Sequence, residues 1–198
     1  MLMKIYLMLL AFLFCCCANK HAEAKESSKS EIAVSSVNDH QEIVPGKSVG
    51  DLQLGADASG LEALGAPDFS DSAMGKAWLT WIQVEPDSVV NVFTTYENHE
   101  MIRKVIRQVR VTSSLYTLSS GISVGSDLAL IQSAFPELKL VGIVAASPQS
   151  QAVNVYSDTN LGIAFEIRNR QCVGILIFKP EPRYLEFYGY LNPQMKPL

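Results

Sequence analysis

The sequence predicts an α+β protein: two tandem helix-plus-antiparallel-sheet units, carried behind a lipoprotein signal and a flexible tether. Three observations carry that expectation. A short motif ending in glycine occurs twice, as Asp51-Leu52-Gln53-Leu54-Gly55 and Gly121-Ile122-Ser123-Val124-Gly125, with apolar, polar, apolar and glycine positions in the same order. Each copy precedes a short helix candidate. Each helix is followed by several runs of alternating apolar and polar residues, the pattern of half-buried strands.

The first element in chain order is an address. Met1–Lys4 supply one positive charge, and Ile5–Phe14 form an unbroken apolar run of ten residues, the length of a signal-peptide core and too short for a membrane span. Cys15, Cys16 and Cys17 follow, as in a bacterial lipoprotein box, where the residue before the cut is small and a larger aliphatic one stands two positions earlier. Cys16, with Cys15 and Leu13 in those places, is the expected lipidation site; Cys17, with Cys16 and Phe14, is the alternative. Residues 1–15 are thus the signal peptide, and the mature protein is a palmitate-bearing lipoprotein of the bacterial cell envelope, on the outer membrane if the cell is Gram-negative. A diacylglycerol plus an N-acyl chain meets the requirement of more than one anchor for stable attachment.

Residues 16–44 are rich in Ser, Lys, Glu, Ala and Asn and offer no apolar face to bury, so they are expected to be a flexible tether. Pro45-Gly46 opens the folded part. Residues 45–115 make the first α+β repeat: a helix over Ala56–Leu64, stopped by Gly65-Ala66-Pro67, then strands at Ala77–Val84, Val89–Tyr96 and Ile102–Val111. Residues 116–198 make the second: a helix over Ser126–Phe135, stopped by Pro136, strands at Leu138–Val144, Ala152–Tyr156, Leu161–Arg168 and Gln171–Phe178, and a C-terminal aromatic segment. Asp57 and Ser126 or Asp127 stand where helix N-caps belong, and Asn169-Arg170 fits a two-residue hairpin turn.

The glycine-led loop, short helix, Leu64-Gly65-Ala66-Pro67 stop and antiparallel strands resemble the unit of the small outer-membrane-assembly lipoproteins and of the β-lactamase inhibitor protein. The resemblance covers about Pro45 to Phe178 as a tandem pair. It implies an α+β fold and a tendency to bind other proteins; it transfers no functional residue, and Ser59-Gly60 in the middle of the first helix departs from the pattern.

Chemistry is sparse. With a net charge of −4 the chain lacks the basic excess of a nucleic-acid binder. Gly121-Ile122-Ser123-Val124-Gly125 matches a serine-hydrolase nucleophile elbow, yet His21, His40 and His99 all lie upstream, and the first copy of the motif has Gln53 at the serine's place. A hydrolase built on Ser123 is therefore the alternative, and no enzyme is the expectation. Pro45-Gly46-Lys47-Ser48 lacks the first glycine of a phosphate loop. Asp68 and Asp71, with Ser70 and Ser72, form an oxygen-rich turn that falls short of a calcium loop. Arg103, Lys104, Arg107 and Arg110 read as edge-strand protection or a wet sheet face, and Cys172 as a buried strand thiol. No cofactor or metal is expected.

The sequence therefore points to a non-catalytic protein-binding or inhibitor-like module, partnered by the membrane through its lipid and by another envelope protein, with a structural envelope component as a further reading. Aromatic side chains mark where binding is expected. Trp78 and Trp81 stand on the first strand after the first helix, and Tyr184, Tyr188 and Tyr190 share one side of an extended C-terminal segment if Leu185 and Phe187 face the core. Closure of the core by that segment is the competing reading.

Overall fold

The computed structural model describes residues 41–83, 88–98, 101–145, 151–180, 185, 188–189 and 195–197. The expected signal peptide, the expected lipidation sites Cys16 and Cys17, and Tyr184, Phe187 and Tyr190 lie outside them. Among the described residues, no helix is long and apolar enough to cross a membrane.

The chain is mainly β. Among the described residues, thirteen strands run in the order β1 Glu42–Val44, β2 Ser48–Val49, β3 Leu52–Gln53, β4 Phe69–Ala73, β5 Lys76–Ile82, β6 Val89–Tyr96, β7 Lys104–Val111, β8 Thr117–Leu118, β9 Lys139–Val144, β10 Val153–Asp158, β11 Ile163–Arg168, β12 Gln171–Phe178 and β13 Met195–Pro197. The described helices are short: a 310 helix at Ala58–Leu64 and α1 at Leu128–Ala134.

The expected α+β class with two helix-plus-sheet units is corrected by the way the strands join. Nine strands form one sheet in the order β13-β9-β10-β11-β12-β7-β6-β5-β4, and a second sheet of four has the order β3-β2-β1-β8. The join is β7 on β12, antiparallel, with Ile175 opposite Val111 and Phe178 opposite Gln108. Each of these strands closes a meander, and a strand left at an edge would present unpaired N–H and C=O groups. Pairing them removes both edges and makes a single layer. The helices are too short to cover separate sheets: Ser59-Gly60 weakens the first, and Pro136 follows close behind the second.

The two glycine motifs nevertheless end in the same local geometry. Gly55 has φ +87° and Gly125 φ +94°, the left-handed region that glycine enters without penalty. Gly55 N–H donates to Ile106 C=O at 2.7 Å and Ile106 N–H donates back to Ala56 C=O at 3.0 Å; Gly125 N–H donates to Cys172 C=O at 2.8 Å and Cys172 N–H to Ser126 C=O at 2.9 Å. Two residues later Asp57 and Asp127 cap their helices, accepting from the N–H groups of Ser59 and Ala129. Each motif thus pins its helix to β7 or to β12, the two strands that form the join.

Both sheet faces carry core. On one, Val90, Val92, Ile106, Val109, Phe165 and Ile175 pack with Ile131 and Phe135 of the α1 region and with Ile43 of β1. Ile43 is buried although residues 16–44 were expected to be tether. On the other, Trp78, Phe93, Leu176 and Phe178 pack with Tyr188, and Leu185 lies against them.

Candidate interaction surface

Alternation in β5, β6 and β7 places Thr80, Asn91 and Arg110 in register on the second face. The Arg110 guanidinium donates from Nε to Glu166 Oε1 at 2.6 Å, from Nη2 to Glu166 Oε2 at 2.7 Å and from Nη1 to Asn91 Oδ1 at 2.8 Å; Asn91 Nδ2 donates to Thr80 Oγ1 at 2.8 Å. Between Arg110 and Glu166 lies β12, where Gly174 stands opposite Glu166. A Cβ there would come within 2.5 Å of Glu166 Oε2, so the ion pair occupies the space a side chain would fill. Burial alone would raise the Glu166 pKa, but the Arg110 charge, its hydrogen bonds and that of Tyr188 outweigh it and hold the carboxyl below its ordinary value. The same carboxylate keeps the Arg110 guanidinium charged against its own burial. This network ties β5, β6, β7, β11 and Tyr188 together and is largely shielded from solvent, the Arg110 side chain being 17% exposed.

Tyr188 belongs to it. The side chain is 1% exposed and its hydroxyl donates to Glu166 Oε1 at 2.7 Å. Its expected place on an outer face is thereby corrected in favour of core closure. The reason is backbone geometry: Leu185 and Tyr188 have helical conformation, and residues three apart share a helical face where strand parity would have separated them. The tryptophans are buried too, Trp78 on the second face against Phe93 at 5.0 Å between ring centroids, Trp81 on the first with Nε1 donating to Gly65 C=O at 3.1 Å.

Of the exposed large apolar side chains among the described residues, four stand along the β4 side of the large sheet, while Met101, Ile102, Leu115, Leu130, Leu140 and Leu161 are exposed elsewhere. Phe69 is 65% exposed, Met74 97%, Ile82 54% and Leu64 46%. All five residues of β4 are exposed, and among the described residues β4 pairs with β5 alone, whereas β13 covers β9 at the other end. A pocket of about 100 Å³ opens on the second face beside Ala73, Met74, Trp78 and Phe93. On the first face one of about 380 Å³ lies among Leu61, Pro67, Leu79 and Trp81.

The remaining sequence candidates resolve one by one. Asp71 belongs to β4, opposite Trp78, and not to a turn, while Asp68 sits just before the strand, its Oδ2 accepting from Ile82 N–H at 2.7 Å. No cluster of three or more metal-ligating side chains occurs among the described residues. Lys104, Arg107 and Arg110 lie on β7, in the middle of the sheet rather than at its edge, with Arg103 just before it, and their charges meet partners within the chain. Arg103 pairs with Asp57 and Glu97 at 3.1 Å each, Arg107 donates to Glu97 C=O, and Lys104 sits over the Tyr96 ring at 5.4 Å. Ser123 Oγ donates to Val124 C=O at 3.2 Å. The Cys172 thiol is buried, which pushes its pKa up to about 12. His21, His40 and His99 lie outside the described residues.

Sequence reasoning missed β4 and the Arg110–Glu166 pair. The pair had a signal: single charges at Arg110 and Glu166 inside strands of Val, Ile and Phe. No protein-family model matches the chain, and neither a curated protein nor a solved structure resembles it to a significant degree.

Proposed function

We propose that the chain is a lipid-anchored protein of the bacterial cell envelope whose β domain binds another envelope protein and carries no chemistry of its own. Lipid on Cys16, or on Cys17, holds it to the membrane, and the chain up to β1 sets its reach. The observation that carries the binding reading is the exposed strand β4, which among the described residues is paired on one side only and has Phe69 and Met74 exposed at its two ends. An unpaired edge of this kind is a ready template for another chain. The absence of chemistry rests on a thiol silenced by burial and a Ser123 hydroxyl spent on a neighbouring carbonyl.

A photo-crosslinking residue at position 69, irradiated in native envelopes, is expected to give a discrete adduct with another protein, and the same residue at exposed Leu130 to give none. Failure at position 69 contradicts the reading. Fatty-acid labelling is expected in the wild type, to persist or move to Cys17 in Cys16→Ser, and to vanish in the double change.

A further inference from the structure

Met74 and Gly75 both have positive φ, +48° and +79°, so the β4–β5 connection is a two-residue type I′ hairpin closed by Ala73 and Lys76 as a hydrogen-bonded pair. In an antiparallel ladder bonded and non-bonded pairs alternate. Ser70 and Ser72 are therefore non-bonded positions toward β5, and their N–H and C=O groups point to the open side. Their side chains lie on the first face, with the two hydroxyls 3.2 Å apart. Phe69, Asp71 and Ala73 lie on the second face, with Trp78.

We propose that β4 is a strand-addition site. An extended segment of the partner protein pairs with the backbone of Ser70 and Ser72, places a basic side chain opposite Asp71, and places aliphatic side chains two residues to either side of it. This deepens the protein-binding reading and rests on it. One aliphatic position falls opposite Ala73, beside the pocket walled by Trp78 and Phe93, and the other opposite the exposed Phe69 ring; the positions between them face two serines and favour small residues. The basic position follows from charge: the carboxylate of Asp71 is exposed at the centre of β4, with Asp68 just before the strand, while the cation Lys76 stands opposite Ala73 at the hairpin end. A second copy of the chain fits poorly, because antiparallel self-pairing centred on β4 sets Asp71 against Asp71, and like charges directly opposite repel. Main-chain bonds supply affinity in this mode and alternate pockets supply selectivity.

The test uses the full chain in detergent and the acetylated, amidated peptide Thr-Val-Ser-Lys-Ser-Val-Thr, beside the same peptide with Glu for Lys. Saturating Lys peptide is expected to slow amide exchange at Ser70 and Ser72 about tenfold or more and to leave the Asp71 amide, already bonded to β5, unchanged. The Lys peptide is expected to bind about threefold more tightly than the Glu peptide, and Asp71→Lys to reverse that order. Ser72→Pro, which removes an N–H unused by the fold, is expected to abolish binding with the melting temperature kept. No binding, binding without slowed exchange at Ser70 and Ser72, or an unreversed preference in Asp71→Lys overturns strand addition. An adduct from position 69 alongside any of those results keeps protein binding and removes only this mode; loss of the adduct removes the function itself.

Discussion

Tyr188 donates its hydroxyl to Glu166 Oε1 at 2.7 Å, completing a carboxylate that Arg110 already grips through both oxygens. Tyr188 is thus fastened to the sheet by a charge-assisted bond inside an apolar cluster. Tyr188→Phe removes only the bond and is expected to cost about 1.5–3 kcal/mol. Tyr188→Ala removes the ring as well and is expected to cost about 3–5 kcal/mol. Urea unfolding of the two variants measures the difference; equal midpoints with wild type would place the ring outside the core.

Glu166 has a lower pKa folded than unfolded. As pH falls, the unfolded chain takes up this proton first, so the stabilisation is complete above the ordinary glutamate value, about 4.3, and is lost as pH drops through the lowered folded value. Glu166→Gln is expected to flatten that acid limb of the stability curve. It also leaves Arg110 buried with one partner fewer, an expected loss of about 3–5 kcal/mol at neutral pH. Denaturant titrations from pH 7 downward report both effects.

Gly174→Ala would drive a methyl to 2.5 Å from Glu166 Oε2, an atom held in place by Arg110. Expected destabilisation is about 1–3 kcal/mol. Gly60→Ala is the control: nothing lies within 4 Å of its added Cβ and no left-handed backbone is required. That change is expected to stabilise by about 0.4–1 kcal/mol. Thermal melts of the two variants should move in opposite directions.

Burial raises the Cys172 thiol to about 12, with its hydrogen directed to Gly174 C=O at 3.4 Å. A thiol reagent at pH 8 is expected to leave Cys172 unlabelled in the folded protein and to label it once urea unfolds the chain, as peptide mapping by mass spectrometry will show.

The strands were legible where alternation was strong. Val89–Tyr96 and Gln171–Phe178 coincide with β6 and β12, and Asn169 and Arg170 both take positive φ, +49° and +66°, as a two-residue hairpin requires. The class was misread because sequence pattern is local while the pairing of β7 with β12 links residues far apart in the chain. Short strands were lost for lack of length: β1, β2, β3 and β8 have two or three residues each. In β4 the sequence Phe69-Ser70-Asp71-Ser72-Ala73 looks like a turn, because an exposed edge strand buries nothing and so shows no apolar period. Tyr188 misled through parity, since helical backbone at Leu185 and Tyr188 folds in a ring that an extended chain would have left outside.

The central claim is that the β4 end meets a protein partner. Its most direct test takes the protein crosslinked from position 69 and measures its affinity for the full chain with Phe69 and Met74 both changed to Glu. Since both side chains are exposed, the melting temperature is expected to hold while binding weakens about thirtyfold or more. Undiminished affinity in a folded Phe69→Glu, Met74→Glu variant would contradict the account.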